Sequence, residues 1–245
     1  QLGLMVEVIG HRGASSEAPE NTLASNNLAF HQGADGVEVD VRLTKDNKLV
    51  CVHDKNALRT AGEELIISES TFKQLKSLDV GKWKGEEWKG EEIPSLEEVL
   101  QNIPSGKKIF IEIKSGIESV DILLEEVQKS RLDSQAITII SFNEEIVKEV
   151  KQAMKPLKTN LLISFSGQKN ISNIEVLRKL EDYRLDGVGI ENHLNLTEDF
   201  IAPIFKAKKK VHVWTVNSVE KAKIYKEMGL SSITTNIPEK IKSAL

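Results

Sequence analysis

The chain has 245 residues, of which 40% are hydrophobic, with 33 lysines and arginines against 37 aspartates and glutamates. The formal charge of −4 gives no reason to expect general nucleic-acid binding, and the single cysteine, Cys51, excludes a disulfide within the chain. No apolar run reaches the roughly 18 residues that a membrane-spanning helix needs. No signal peptide is visible at residues 1–8, which favours a cytoplasmic location and leaves a mature exported form open.

Predicted strands and helices alternate along the chain. Short β-branched runs indicate strands at 6–9, 36–41, 49–52, 109–113, 137–140, 160–163, 187–190, 211–216 and 232–234. Helical periodicity appears at 22–31, 118–129, 143–153, 172–180, 197–208 and 219–228. This alternation favours a parallel sheet with helices outside it.

The number of strand–helix units favours a closed sheet. About eight units in roughly 250 residues are typical of a (β/α)₈ TIM barrel, and no glycine-rich nucleotide turn follows the first strand. Since nine runs exceed eight, we expect 36–41 and 49–52 to form a hairpin-like excursion, or one of them to lie beside the barrel. We predict one α/β TIM-barrel domain over residues 1–245, with a small inserted segment after the third strand, at about 54–94.

Three acidic residues are predicted to share one face of the barrel. Side chains two residues apart on a strand point to the same side, so Glu38 and Asp40 project together, as do Glu112 and Lys114. Unpaired buried carboxylates are costly, and a hard cation such as Mg²⁺ or Ca²⁺ offsets that cost. We therefore predict one divalent cation bound by Glu38, Asp40 and Glu112. The alternative is a set of buried ion pairs with Arg12, Arg42 or Lys114.

Two histidines follow strands and are expected to converge at the same rim. His11 follows the first strand and His53 the third, which suits general acid–base work on a phosphodiester near neutral pH. For either histidine alone a structural role would be favoured, but their placement beside Arg12 and the acidic residues favours the catalytic role. Trp214 is predicted to line the substrate side of the pocket, with core packing as the alternative, and His212 inside a strand is expected to be structural.

An ordered set of motifs resembles the glycerophosphodiester phosphodiesterase family over essentially the whole chain. It consists of His11-Arg12-Gly13-Ala14, Pro19-Glu20-Asn21-Thr22, residues 33–41, Leu43-Thr44-Lys45-Asp46, Val52-His53-Asp54, Leu58-Arg59-Thr60, residues 78–81 and 93–100, Ile111-Glu112-Ile113-Lys114, Ser141-Phe142, Trp214-Thr215-Val216-Asn217 and residues 233–238.

The resemblance implies hydrolysis of a small-molecule glycerophosphodiester, such as glycerophosphocholine, to glycerol 3-phosphate and an alcohol. It implies the divalent cation, acid–base catalysis by His11 and His53, and phosphate binding by Arg12 and Lys114. It also implies that Asn21 orients ligands or substrate near the metal. One departure is Asn236, which stands where the family usually has an aspartate.

Two other functions remain alternatives: a lysophospholipase D acting on lysolipids, and a non-catalytic binding barrel. The sequence leaves open the leaving alcohol, the choice between Mg²⁺ and Ca²⁺ and the choice between water and a glycerol hydroxyl as nucleophile. The oligomeric state, including a homo-oligomer, is open as well.

Overall fold

Eight parallel strands close into a barrel in the computed structural model, which describes residues 5–245; part of the segment inspected for a signal peptide lies outside that range. The strands are β1 (Glu7–His11), β2 (Gly36–Leu43), β3 (Leu49–Cys51), β4 (Lys108–Ile113), β5 (Ile137–Ser141), β6 (Lys158–Ile163), β7 (Gly187–Glu191), β8 (Lys210–Trp214) and β9 (Ser232–Thr235). β1 pairs in parallel with both β2 and β9, which closes the ring. The predicted TIM barrel is confirmed.

The additional strand, β3, lies beside the barrel. β3 pairs antiparallel with β2 and makes a single bridge to Ser95, and a tight turn at Asn47, whose φ is 62°, joins β2 and β3. Asn adopts this left-handed conformation more readily than most residues. The predicted excursion of the second and third strand-like runs is thus a hairpin that extends from one barrel strand.

Within residues 5–245, nine α-helices lie between these strands and a tenth follows β9. They are α1 (Leu23–His31), α2 (Leu58–Ala61), α3 (Phe72–Lys76), α4 (Leu96–Gln101), α5 (Val120–Lys129), α6 (Glu144–Ala153), α7 (Asn173–Asp182), α8 (Glu198–Lys206), α9 (Val219–Glu227) and α10 (Pro238–Ala244). The six predicted helices correspond to α1 and α5–α9. Four of the six begin at a Ser or Thr whose side chain accepts a hydrogen bond from the backbone N–H three residues on, and Asn143 does the same at the start of α6.

The alternation of side chains along each strand separates two layers of core. Val37, Val39 and Val41 of β2 are fully buried against the helices, and Ile109 and Ile111 of β4 lie in the same outer layer. Each such side chain contributes about 1.5–3 kcal/mol by leaving water. The residues between them on the strands face the barrel interior.

The inserted segment after β3 has its own apolar cluster. That cluster consists of Val50, Val52, Ala57, Ile67, Leu75, Leu78, Val80 and Ile93. Asp79 fixes the long loop before α4, because its carboxylate accepts hydrogen bonds from the backbone N–H groups of Gly81, Lys82 and Gly90. Within residues 5–245, none of the helices has the length and apolar character that would let it cross a membrane.

Candidate active site

The three predicted carboxylates meet inside the barrel. Glu38 and Asp40 lie on β2, and Glu112 lies directly across from Asp40 on the neighbouring β4. One oxygen from each of the three side chains lies within 4.8 Å of the other two. Glu38 is 3% exposed and Asp40 1% exposed, so these groups are largely removed from water.

The electrostatics of this cluster are unfavourable in the protein alone. Burial, with the charges of Asp40 and Glu112, raises the pKa of Glu38 well above its usual value. Burial and Asp40 raise the pKa of Glu112 to about 7. Burial also opposes ionisation of Asp40, but Arg12 and Lys114 outweigh it and lower the pKa of that carboxyl group.

Two cations and one amide surround the carboxylates. Arg12 Nε lies 3.3 Å from Asp40 Oδ2, and Lys114 Nζ lies 2.9 Å from Glu112 Oε2. Asn21 donates to Asp40 Oδ2 at 3.1 Å and accepts from the Asp40 backbone N–H at 3.1 Å. Asn21 therefore fixes Asp40 from both ends.

The chemistry of this donor set fits a hard divalent cation. The three carboxylates lie together, and only Asp40 and Glu112 form an ion pair within residues 5–245, with Arg12 and Lys114 respectively. A divalent ion favours oxygen ligands and would remove the mutual repulsion that raises the pKa of Glu38 and Glu112. Glu38, Asp40 and Glu112 could thus hold a metal ion.

His11 is held by an amide from the far end of the chain. It ends β1, and its Nδ1 lies 2.6 Å from Asn236 Oδ1, just after β9. The amide oxygen accepts the Nδ1 proton, which leaves Nε2 as the unprotonated nitrogen. Burial, and then the charge of Arg12, lowers the pKa of His11. The lowered pKa favours the neutral form of His11, with Nδ1 facing the Asn236 amide oxygen.

His53 belongs to a different network, made of charged side chains. Its Nδ1 lies 2.8 Å from Asp54 Oδ1, and the Arg59 guanidinium Nε donates to Asp54 Oδ2 at 2.9 Å. Arg59 also makes a two-pronged contact with Glu20 at 2.7 and 2.8 Å, and Glu20 accepts from Arg12 at 3.1 Å. The hydrogen bond from Arg59 is the main reason why the pKa of Asp54 is lowered to about 2. This chain of contacts links the inserted segment to the loop that carries Arg12.

One cavity of about 210 Å³ contains the whole set. His11, Arg12, His53, Lys114 and the three carboxylates form one side of it. The other side is mostly uncharged and consists of Phe110, Ile140, Phe142, Asn160, Leu162, Gly189, His212, Trp214, Thr215 and Thr234. The Trp214 and Phe142 rings meet edge to face, with centroids 5.7 Å apart.

A charged half and an uncharged half in one small cavity suit a molecule with an anionic centre and a neutral organic group. The model of the glycerophosphoryl diester phosphodiesterase family matches residues 11–240. The chain belongs to this family.

Relatives that align over nearly the whole of both chains support the assignment. A glycerophosphodiester phosphodiesterase of Caldanaerobacter subterraneus subsp. tengcongensis is 34% identical over 95% of this chain and 94% of its own length. An Oleispira antarctica phosphodiesterase, solved in complex with the product sn-glycerol-3-phosphate, is 30% identical with a TM-score of 0.87, covering 97% of this chain and 96% of that one. The Thermotoga maritima glycerophosphodiester phosphodiesterase has a TM-score of 0.82 at 28% identity, covering 98% and 99%. This family member is therefore an enzyme, a hydrolase of the phosphodiesterase class.

Every predicted site residue of this phosphodiesterase lies in or beside the cavity. His11, His53, Arg12, Lys114 and Trp214 line it, as do the carboxylates, whereas Asn21 acts behind Asp40. Three further residues, Glu20, Asp54 and Arg59, belong to the sequence motifs but had no predicted role of their own. Among the other residues that line the cavity, Asn160 had no predicted role, and His212 was expected to be structural.

Asn236→Asp is expected to shift the pH profile of this phosphodiesterase. A carboxylate 2.6 Å from His11 Nδ1 would stabilise the imidazolium and oppose the burial that now lowers the pKa of His11. Because the protonated ring cannot accept a proton, the acidic limb of the kcat/KM profile should move to higher pH. Profiles of both proteins across about two pH units on either side of neutrality test this. An unchanged limb would contradict the assignment of that limb to His11.

Arg59→Lys is expected to lower kcat by about tenfold or more. The guanidinium hydrogen bonds that hold Asp54 and Glu20 would be lost, so both carboxylates would become mobile. Lysine keeps the charge but cannot bridge the two carboxylates. Steady-state kinetics measure the effect. Arg131→Lys, also an arginine but outside these contacts, serves as the control and should behave like the parent protein.

Proposed function

We propose that this enzyme hydrolyses glycerophosphodiesters to glycerol 3-phosphate and an alcohol, with a divalent cation at Glu38, Asp40 and Glu112 and with His11 and His53 as general base and general acid. We propose likewise that residues 1–245 act as one phosphodiesterase domain with an insertion at about 54–94. The observation that carries the proposal is the meeting of three carboxylates and two histidines around one 210 Å³ cavity.

Charge stabilisation is the first task of the site. When bound, the cation would act as a Lewis acid toward the phosphate oxygens. Arg12 and Lys114 add positive charge on the same side of the cavity and orient the phosphate. Positive charge that is already in place before the reaction usually contributes more to catalysis than any other single effect. Asn21 keeps Asp40 in place by its two hydrogen bonds.

The imidazole side chains of His11 and His53 transfer the protons. His11 is neutral with Nε2 unprotonated, so it accepts the proton of the nucleophile, whether that is water or the neighbouring glycerol hydroxyl. His53, whose Nδ1 lies 2.8 Å from Asp54 Oδ1, is the group that donates a proton to the leaving alkoxide oxygen. The oxygen of the nucleophile bonds to phosphorus as the bond from phosphorus to the alcohol oxygen breaks, and the alcohol leaves with the proton from His53. If the nucleophile is the glycerol hydroxyl, a cyclic phosphate forms first, and water then opens it to glycerol 3-phosphate.

Release of glycerol 3-phosphate from glycerophosphocholine, with and without EDTA, tests the proposal. We expect chelation to abolish turnover and added Mg²⁺ or Ca²⁺ to restore it, which also identifies the preferred ion. Turnover that persists after exhaustive chelation would contradict a metal role. Absence of turnover on any glycerophosphodiester would contradict the activity itself.

A lysophospholipase D activity is a second candidate, favoured by exposed apolar side chains on the face of the barrel that carries the cavity. Phe142 is 42% exposed at the cavity wall, Leu194 is 84% exposed in the loop after β7, and Trp83 is 41% exposed in the inserted segment. Such side chains suit contact with an acyl chain. Lysophosphatidylcholine in the same assay tests this candidate; we expect glycerophosphocholine to be the better substrate.

A further inference from the structure

The uncharged half of the cavity contains polar groups that the reaction described above does not use. Asn160 on β6, His212 on β8 and Thr234 on β9 line the cavity beside the apolar side chains of Ile140 and Leu162. Asn160 is 2% exposed and Thr234 7% exposed. Neither residue lies among the predicted metal ligands or acid–base groups.

Asn160 points into the barrel. Its neighbours Leu161 and Ile163 pack in the outer layer with the helices, whereas Leu162 belongs to the interior cluster, so alternation places Asn160 on the interior side. Within residues 5–245, no protein group forms a hydrogen bond with its side-chain amide. A buried amide is destabilising unless something completes its hydrogen bonds. The polar atoms of the Asn160 side chain are open to the cavity and are therefore available to a molecule bound there.

β7 has glycines on its inward face, where the neighbouring side chains of the cavity wall approach its backbone closely. Gly187 pairs with Asn160, and Gly189 pairs with Leu162 on one side and with His212 on the other. A Cβ at Gly189 would lie 2.7 Å from Leu162 Cδ2 and 3.6 Å from Trp214 Cδ1. A side chain there would therefore displace the cavity wall next to Asn160.

The other polar groups of this wall are also uncharged. His212 Nδ1 lies 2.6 Å from Ser232 Oγ, so one ring nitrogen is already engaged. Burial, followed by the charges of Lys210, Lys108 and Lys158, lowers the pKa of His212 to about 3, so the ring is neutral. An uncharged set of donors and acceptors matches a hydroxyl group, which both donates and accepts, better than it matches a phosphate or an ammonium group.

We propose that Asn160, together with Thr234 and His212, forms a subsite for a hydroxyl group of the substrate's organic portion and makes Asn160 a specificity-determining residue. The inference rests on the proposed function and adds the group that the enzyme recognises besides the phosphate. That hydroxyl belongs either to the glycerol or to the leaving alcohol, and the two sources differ in which compounds the subsite selects.

Two phosphate monoesters separate hydroxyl recognition from phosphate recognition. Propyl phosphate has the carbon chain of glycerol 3-phosphate without its two hydroxyls. With Mg²⁺ present, calorimetry should show that the parent protein binds glycerol 3-phosphate more tightly, and that Asn160→Leu reduces this preference by about tenfold, as expected for one lost hydrogen bond. Thr234→Val should reduce it less.

Thr159→Val is the matched control. Thr159 is buried on the same strand but faces the helices, where its hydroxyl donates to the Leu157 carbonyl oxygen. It should keep the full preference. The melting temperature of metal-free Asn160→Leu should equal or exceed that of the parent, since a buried amide without a protein partner is removed. A lower melting temperature with equal weakening of both ligands would show a structural role and overturn the proposal.

The source of the hydroxyl is determined from turnover. If Asn160→Leu lowers kcat/KM for glycerophosphoglycerol more than for glycerophosphocholine, while the monoester preference is unchanged, the subsite binds the leaving alcohol. If neither the monoester preference nor this ratio changes, the subsite does not exist. Lack of turnover by the parent protein would instead refute the proposed function, and the monoester comparison would still decide the role of Asn160. Should Asn160→Leu not fold, Thr234→Val decides it in the same two measurements.

Discussion

Glu38→Gln is expected to lower kcat by about 10³-fold while making the metal-free protein more stable. The amide keeps the size of the side chain but removes one anionic ligand from the carboxylate cluster, so the cation should bind weakly. The same change relieves the burial and repulsion that raise the pKa of Glu38. Function and stability should therefore move in opposite directions.

The stability change depends on pH in a defined direction. A carboxyl group whose pKa is higher in the folded than in the unfolded state stabilises the fold only while it is protonated. Above the ordinary glutamate pKa of 4.5, the unfolded chain loses the Glu38 proton. The folded protein must then either keep that proton or bury a charged carboxylate, and both lower its stability relative to the unfolded chain. In EDTA, the melting temperature of Glu38→Gln should thus exceed that of the parent by more at about pH 8 than at about pH 5.

Added metal should reverse the order of the two proteins. A ligand that binds only the folded state raises its stability, so saturating Mg²⁺ or Ca²⁺ should raise the melting temperature of the parent but have little effect on Glu38→Gln. Glu125→Gln, on a side chain that is 62% exposed and paired with Lys129, is the control and should follow the parent throughout. An equal rise in melting temperature with metal in all three proteins would mean that the ion does not bind at Glu38.

The fold was largely predictable because hydrophobic residues recur with a different period in strands and in helices. β2 alternates valines with Glu38 and Asp40, so the sequence alone indicated which side chains share the interior. The predicted strand ends lie close to the observed ones, and a typical difference is that β8 ends at Trp214 rather than at 216. The insertion was recognisable by the loss of this regular pattern.

The short helices were missed although their start signals were present. Ser95 and Glu98 form a reciprocal capping box at α4, and Thr71 and Gln74 form one at α3. These helices have six and five residues, too few to show helical periodicity. Pro238, at the first turn of α10, was a comparable signal.

Part of the site could not be predicted from the sequence because it depends on how distant segments meet. Asn236 lies 225 positions from His11, and no local pattern indicates that its amide would face an imidazole. Asn160 looks like an ordinary polar residue at the start of a predicted strand, and only barrel closure shows that it faces the cavity. Arg59 gains its role because the inserted segment folds back onto Glu20.

The second large effect is expected at the two histidines, where alanine substitution should lower kcat on glycerophosphocholine by about 10²-fold or more. The two losses should respond differently to the leaving group. Choline leaves as an alkoxide that needs a proton, whereas p-nitrophenolate leaves readily without one. Replacing choline by p-nitrophenol in the glycerol phosphodiester therefore removes the need for a general acid but not for a general base.

We expect His53→Ala to recover most of its activity on the p-nitrophenyl diester, because His53, beside Asp54, supplies the proton. His11→Ala should remain impaired on both substrates, since its neutral Nε2 is needed to activate the nucleophile. The ratio of kcat between the two substrates, measured for the parent and each variant, separates the roles. Recovery by His11→Ala instead would exchange the two assignments, and a similar ratio in all three proteins would show that neither imidazole protonates the leaving group.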